Sequence, residues 1–236
     1  MGNFDIKIEK FLKAFIDNGG YHNVLTGLKN TMEIAIIGLL IGIAIGTLIA
    51  SIRVLPKYRM LPRVLDKICS FYVAIFRGTP MVVQLLVFYY VIMPLIGIKI
   101  DGLNVAITVF GLNSGAYVSE IMRGGILSVD PGQLEGGRSV GMSYATTMFK
   151  IVIPQAIKNI LPTLGNEFIT LVKETSIVSF VGAMDLYKVF NDIGTNNYEF
   201  MVPYLVMAVI YIIIVCLITL GIKFMERRLR KSDRRS

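Results

Sequence analysis

Five stretches of this chain stay apolar for the length needed to cross a bilayer, and short polar segments rich in Lys and Arg separate them. A spanning helix takes about 20 mostly apolar residues. On that measure, spans are predicted over roughly 24–52, 70–98, 103–122, 160–183 and 202–224. In the first, Gly38, Gly42 and Gly46 recur every fourth position, a stripe of small residues that lets two membrane helices approach closely. Gly111 and Gly115 make a second stripe on the third span. Ahead of the spans, residues 4–16 place Ile8, Phe11, Leu12 and Phe15 at helical spacing with charges between them, which predicts an interfacial amphipathic helix ended by Gly19-Gly20. The predicted fold is all-α: a polytopic membrane protein with an interfacial segment over 1–23, a five-helix transmembrane domain over 24–225 and a basic tail over 226–236.

Composition agrees with burial in lipid. The 236 residues are 54% hydrophobic and 17% charged, with a mean hydropathy of +0.66. The net charge of +8 does not point to nucleic acid, because the basic residues flank apolar stretches and no stacking aromatics are interleaved with them. Segments expected on one side of the membrane hold sixteen Lys and Arg, and those on the other side hold six. That asymmetry places the amino terminus outside and the carboxyl terminus in the cytoplasm, although Lys7, Lys10, Lys13 and Lys29 count against it. Cys69 and Cys216 have no CxxC spacing, and His22 is the single histidine, so no disulfide framework, metal cluster or Ser-His triad is indicated. The first apolar run is longer than a signal-peptide core and has no small-residue cleavage site behind it, so it is read as retained. No GxxxxGK[ST] run is present, so no phosphate-binding loop of that type is indicated.

Candidate chemistry falls in two places. In the loop 130–154, Asp130-Pro131-Gly132-Gln133 makes a turn, Leu134 to Val140 is predicted as about two turns of helix ended by Gly141, and Ser143 caps a second short helix running towards Pro154. Two short helices meeting at a glycine form a knob that can seat in a groove of another protein. Inside the spans, ionisable side chains are costly unless paired or facing a cavity. Asn113, Tyr117 and Glu120 recur at i, i+4 and i+7 on one helical face. Lys173 and Glu174 lie about eleven residues past Pro162, roughly 17 Å into the bilayer. Arg77 precedes Gly78-Thr79-Pro80, where a helix should break, and is expected to pair with Glu120 or Glu174. Two readings stand for these charges: contact with a zwitterionic substrate, or pairing that locks helices together. Glu33 reads as a helix-start acid near the surface.

Glu135, Gly136, Gly137, Gly141, Ile151 and Pro154 together resemble the EAA signature of ABC-importer permeases, with glycines where alanines are usual at 136 and 137 and Ile153 where leucine is usual. Those glycines should each loosen the helix by roughly 1 kcal/mol. Phe76-Arg77-Gly78-Thr79-Pro80 with Val83-Gln84-Leu85, the run from Ala116 to Gly125, and Val172-Lys173-Glu174-Thr175-Ser176 resemble the branch that carries polar amino acids such as histidine, glutamine, glutamate, arginine, cystine and opines. The resemblance covers about residues 24–225 and implies a MetI-like five-helix permease in a prokaryotic cytoplasmic membrane, with a cytoplasmic coupling helix. It implies a pair of ABC ATPase subunits as partners, a second permease (the same chain or a paralogue) and an extracellular solute-binding protein. ATP and Mg would be held by the ATPases, and this chain would bind no cofactor or metal and hydrolyse nothing. The six signature residues would couple to the ATPase, and Arg77, Thr79, Gln84, Asn113, Tyr117, Glu120, Lys173 and Glu174 would line the substrate pathway. An ion-coupled secondary carrier is the alternative, although it usually has more spans and inverted repeats. An intramembrane hydrolase would need paired aspartates, a His-Glu metal motif or a Ser-Lys dyad, and the spans offer only the weak Lys173 and Ser176 pair.

Overall fold

The computed structural model of the chain describes residues 3–233, and among them the regular elements are helices alone. In chain order these are α1 (Asn3–Leu12), α2 (Gly20–Val54), α3 (Met60–Gly78), α4 (Met81–Leu95), α5 (Gly102–Leu127), α6 (Pro131–Ser139), α7 (Tyr144–Thr147), α8 (Ile153–Glu174), α9 (Leu186–Asn197) and α10 (Met201–Asp233). Among the described residues, three helices are long and apolar enough to cross a membrane: Gly20–Val54, Gly102–Leu127 and Met201–Leu229. Met60–Gly78 and Met81–Leu95 meet that test only as a broken pair.

Two predicted spans therefore take a different form, the second at the break that Gly78-Thr79-Pro80 predicts. The second, 70–98, is two helices, because Pro80 takes an extended conformation (φ −63°, ψ 140°) and has no amide with which to continue α3. It also starts earlier than predicted, since α3 takes in residues from Met60 onward that the basic charge count assigned to a loop. The fourth, 160–183, is helical from Ile153 to Glu174 and then tightens into a 3-10 turn over Thr175–Val181. With Gln155, Lys158, Asn159, Asn166 and Glu167 along it, α8 is more polar than the three long apolar helices. The basic tail continues α10 as helix to Asp233, and residues 234–236 lie outside the described residues.

The chain divides into two compact units, and α2, α5, α8 and α10 each contribute residues to both. One comprises residues 1–38, 79–111 and 170–217. Its core is Phe11, Val24, Leu186, Val189, Phe190, Ile193 and Val202. α1 therefore buries Phe11 against α9, although Phe4, Ile6, Leu12 and Ile16 stay exposed. Asp185 caps α9, accepting the Tyr187 and Lys188 amides at 3.0 and 2.9 Å, while Thr31 accepts the Leu186 amide and Asn30 donates to the Met184 carbonyl.

The other unit comprises residues 39–78, 112–169 and 218–236. One cluster joins Val118 and Val129 to Met148, Val152, Ala156, Ile160 and Leu164, and a second joins Ile49, Cys69, Val73 and Ala116. Here the glycine stripe packs as the sequence implies. A Cβ at Gly42 would come within 2.5 Å of Ser114, and one at Gly46 within 2.7 Å of Val118. In the first unit the same stripe continues with Gly38, where a Cβ would lie 3.1 Å from Phe110. Steps of four on α2 thus meet steps of four on α5.

Candidate functional site

The loop between α5 and α8 is built by local rules. Asp130 accepts the Gly132 amide at 2.7 Å, and Pro131 occupies the first helical position of α6, where an amide would have no partner. At the far end the Met142 amide donates to the Gly137 carbonyl (3.1 Å) and the Gly141 amide to the Arg138 carbonyl (3.0 Å). This is a Schellman ending, which places Gly141 at φ +85°, a left-handed conformation that suits glycine. Ser143 then caps α7 through the Thr146 amide. Pro154 has no amide to donate to Lys150, and the wide turn at Met148–Val152, with the Ile153 amide reaching back to Met148, lies directly before it.

Tertiary contacts hold the two short helices as one body. Leu134 and Tyr144 pack on the Val118 cluster, Gln155 donates to Gln133, and Asn159 donates to Ser128. The two signature glycines separate here. Gly137 is buried, and a Cβ there would meet the Thr147 side chain at 2.5 Å, so it is small to let α6 lie on α7. Gly136 faces open space and is exposed, as are Glu135, Ser139, Val140 and Phe149, the last two at 77% and 71%. Ile151 lies in the wide turn and Pro154 in the first turn of α8. The result is a firm knob whose exposed residues include Asp130, Glu135, Arg138 and Lys150 as well as small residues and the apolar Val140 and Phe149.

The polar face of α5 meets α3 and α2 in the same unit. Asn113 donates to the Phe76 carbonyl at 3.3 Å, and one turn on the Arg77 guanidinium lies 5.2 Å from the Tyr117 ring centroid, within cation–π range. Glu120, the next residue on that face, is held by Arg53 of α2 and by Arg123 (2.7 and 3.1 Å), so the expected Arg77–Glu120 pair gives way to a different one. Arg53 also approaches Asp66 of α3 at 3.8 Å, and Asp66 takes Lys57 at 2.7 Å. Sequence reasoning missed this network: Arg53 and Lys57 were counted as topology signals, and Asp66 carries no motif. A lone acid among Lys57, Arg59, Arg63 and Lys67 was the available clue.

The remaining predicted residues lie in the other unit. Gln84 is buried and donates to the Thr79 carbonyl (3.0 Å) and hydroxyl (2.9 Å), so these two residues brace the chain break ahead of α4. Lys173 and Glu174 end α8. Lys173 lines a cavity of about 530 Å³ with Ser176, Tyr187, Met207, Tyr211 and Cys216, while Glu174 sits half-buried beside it in sequence. Its walls are almost wholly apolar, the Tyr211 hydroxyl is buried, and the Ser176 hydroxyl donates to the Lys173 carbonyl, which leaves the Lys173 ammonium as the charged group at its edge.

Comparison with known proteins bears directly on this arrangement. The family described as "Binding-protein-dependent transport system inner membrane component" matches residues 38–231. The chain is similar to the arginine transport system permease protein ArtQ of Bacillus subtilis (strain 168), at 36% identity over 210 residues, covering 89% of this chain and 94% of the relative. It is 39% identical over 206 residues to a putative glutamine transport system permease protein GlnP of Rickettsia bellii (strain RML369-C), covering 87% and 92%. Among solved structures, an amino acid ABC transporter crystallised with histidines matches with a TM-score of 0.81 at 37% identity, over 88% of this chain and 94% of that one. The MetNI methionine transporter matches with a TM-score of 0.75 at 20% identity, covering 87% and 95%, a likeness of fold.

Proposed function

This chain belongs to the family of binding-protein-dependent transport system inner membrane components, and on that premise we propose that it is the permease subunit of an ATP-driven importer of polar amino acids. The knob of α6 and α7 supports the reading most strongly. Its residues Glu135, Gly136, Gly137, Gly141, Ile151 and Pro154 belong to one packed body, in which Gly137 is buried against Thr147 and the exposed surface is open beside Gly136. We assign it as the contact with an ABC ATPase pair, which would bind ATP and Mg; this chain binds no cofactor of its own and catalyses no reaction. Closure of that pair would move the knob as a body and shift α5 and α8, between which it lies in sequence, so that the pathway opens alternately to either side.

The pathway is assigned to Arg77, Thr79, Gln84, Asn113, Tyr117, Glu120, Lys173 and Glu174. Lys173 in its cavity is suited to a substrate carboxylate, and Arg77 and Tyr117 to the polar passage. Glu120, held by two arginines, serves as an ion-pair strut there. The names of the relatives favour arginine, glutamine or a similar polar amino acid. Other partners are a second permease, identical or paralogous, an extracellular solute-binding protein and the lipid bilayer, with no nucleic acid. The five-span topology is kept by taking the α3–α4 pair as one broken span and α8 with its following turn as another. The domain bounds remain 1–23, 24–225 and 226–236, with the coupling loop at 130–154, the amino terminus outside and the carboxyl terminus cytoplasmic.

The test is ATP hydrolysis by the chain reconstituted with its co-expressed ATPase, titrated with candidate solute-binding proteins each loaded with one amino acid. Stimulation by one loaded protein is expected, and it identifies the substrate. A chain that retains no ATPase under any condition contradicts the reading.

A further inference from the structure

Tyr198 ends α9 in a conformation that a bulky residue rarely adopts. At φ 50° and ψ 36° it is left-handed, the one non-glycine residue with positive φ among the described residues. Glycine or asparagine takes such a position readily, and asparagines stand at the two preceding positions, yet the register places the tyrosine there. The backbone on either side is pinned. The Tyr198 and Glu199 amides donate to the Thr195 and Gly194 carbonyls at 3.3 and 3.0 Å. The Phe200 ring folds onto Gly194, where a Cβ would come within 2.5 Å of it, and lies tilted at 47° to the Tyr204 ring, whose hydroxyl donates to the Asn191 side chain at 2.8 Å. The Glu199 carboxylate takes the Met201 amide at 3.0 Å and the Lys7 ammonium of α1 at 3.1 Å. The backbone of Tyr198 is thus held in place while the residue is 92% exposed, next to Phe200 and Met201 in sequence at 40% and 48%.

We propose that Tyr198 is the anchor on which the solute-binding protein docks, with Phe200 and Met201 completing an apolar centre and Asn196, Asn197 and the Lys7–Glu199 pair forming its polar rim. Aromatic and Met residues ringed by polar groups are the composition of an interface centre. A lipid headgroup layer also takes tyrosine, but it is fluid and accepts the ring from any nearby backbone geometry. A strained backbone held from both sides suits a partner of fixed shape. The family depends on a binding protein, and both α1 and the α9–α10 corner fall on the side assigned as external. The inference rests on that assignment.

The test uses the reconstituted complex and the loaded binding protein that stimulates it. Tyr198→Ala and Tyr198→Asn are expected to raise the half-stimulating concentration of binding protein at least about tenfold, with basal ATP hydrolysis unchanged. Tyr198→Phe, which keeps the ring, should stay close to wild type. Tyr198→Asn, which fits the left-handed backbone, should melt at or above the wild-type temperature, separating lost docking from lost folding. In a Cys69→Ser, Cys216→Ser background, Tyr198→Cys should react with an impermeant maleimide added outside right-side-out vesicles. Labelling from the inside alone overturns the assigned topology and the proposal with it. External labelling with an unchanged titration in both Ala and Asn variants overturns the docking anchor alone, as does an unchanged titration accompanied by weaker pairing of permeases.

Discussion

Gly136 and Gly137 are adjacent and both lack a side chain, but for different reasons. Thr147 fills the space beside Gly137, whereas the space beside Gly136 is open. Gly137→Ala should therefore destabilise the permease by about 1–3 kcal/mol through overpacking, while Gly136→Ala should stabilise α6 by about 1 kcal/mol through helix propensity. Thermal melts of the two purified variants check the pair. The motif was legible from spacing, but this division of roles was not, because it depends on where α7 folds back. Asp185 illustrates the same limit, since nothing in Met184-Asp185-Leu186 announces a buried cap. Burial pushes its carboxyl from 3.8 up to about 6, even though the Lys188 and Tyr187 amides donate to it. A raised acid binds more protons in the folded state, so stability should fall as pH rises from about 4 to about 6, by roughly 3 kcal/mol in all. Asp185→Asn should remove that fall, which is read as the difference between the melting curves of variant and wild type across pH 4–7.

At the level of elements, the corner between α6 and α7 turns on one left-handed glycine. Gly141→Val should strain the Schellman ending by about 1–2 kcal/mol, tilt α6 from α7, and leave membrane insertion intact while ATPase retention and uptake are lost. Pull-down of the ATPase on the tagged variant, with membrane yield as control, checks this; normal retention and uptake would remove the coupling assignment. Glycine spacing marked α2 as a helix built for close approach, but not that its stripe would meet Phe110, Ser114 and Val118 of α5. Gly78-Thr79-Pro80 likewise announced a break, for proline cannot continue a helix. The start of α3 was hidden, since its first two turns carry Arg63, Asp66 and Lys67 and read as a basic loop. The partners of Glu120 were hidden too, since pairing between helices depends on their relative rotation and not on any one spacing.

For the molecule as a whole, class and fold were legible because they rest on long periodic signals: apolar runs, flanking basic residues and the spaced loop motif. Substrate identity was not, because the motifs do not name it, and the cavity proposed for the substrate is shaped by side chains from α9 and α10 that carry no motif. The central claim is that this chain carries amino acids across the membrane when a partner hydrolyses ATP. The most direct measurement is accumulation of a radiolabelled polar amino acid in proteoliposomes containing the chain, its ATPase and the loaded binding protein, with ATP on the ATPase side and ionophores present. Accumulation that requires ATP and survives collapse of ion gradients is the predicted result. Uptake by the chain alone, driven by an ion gradient and indifferent to ATP, would contradict it.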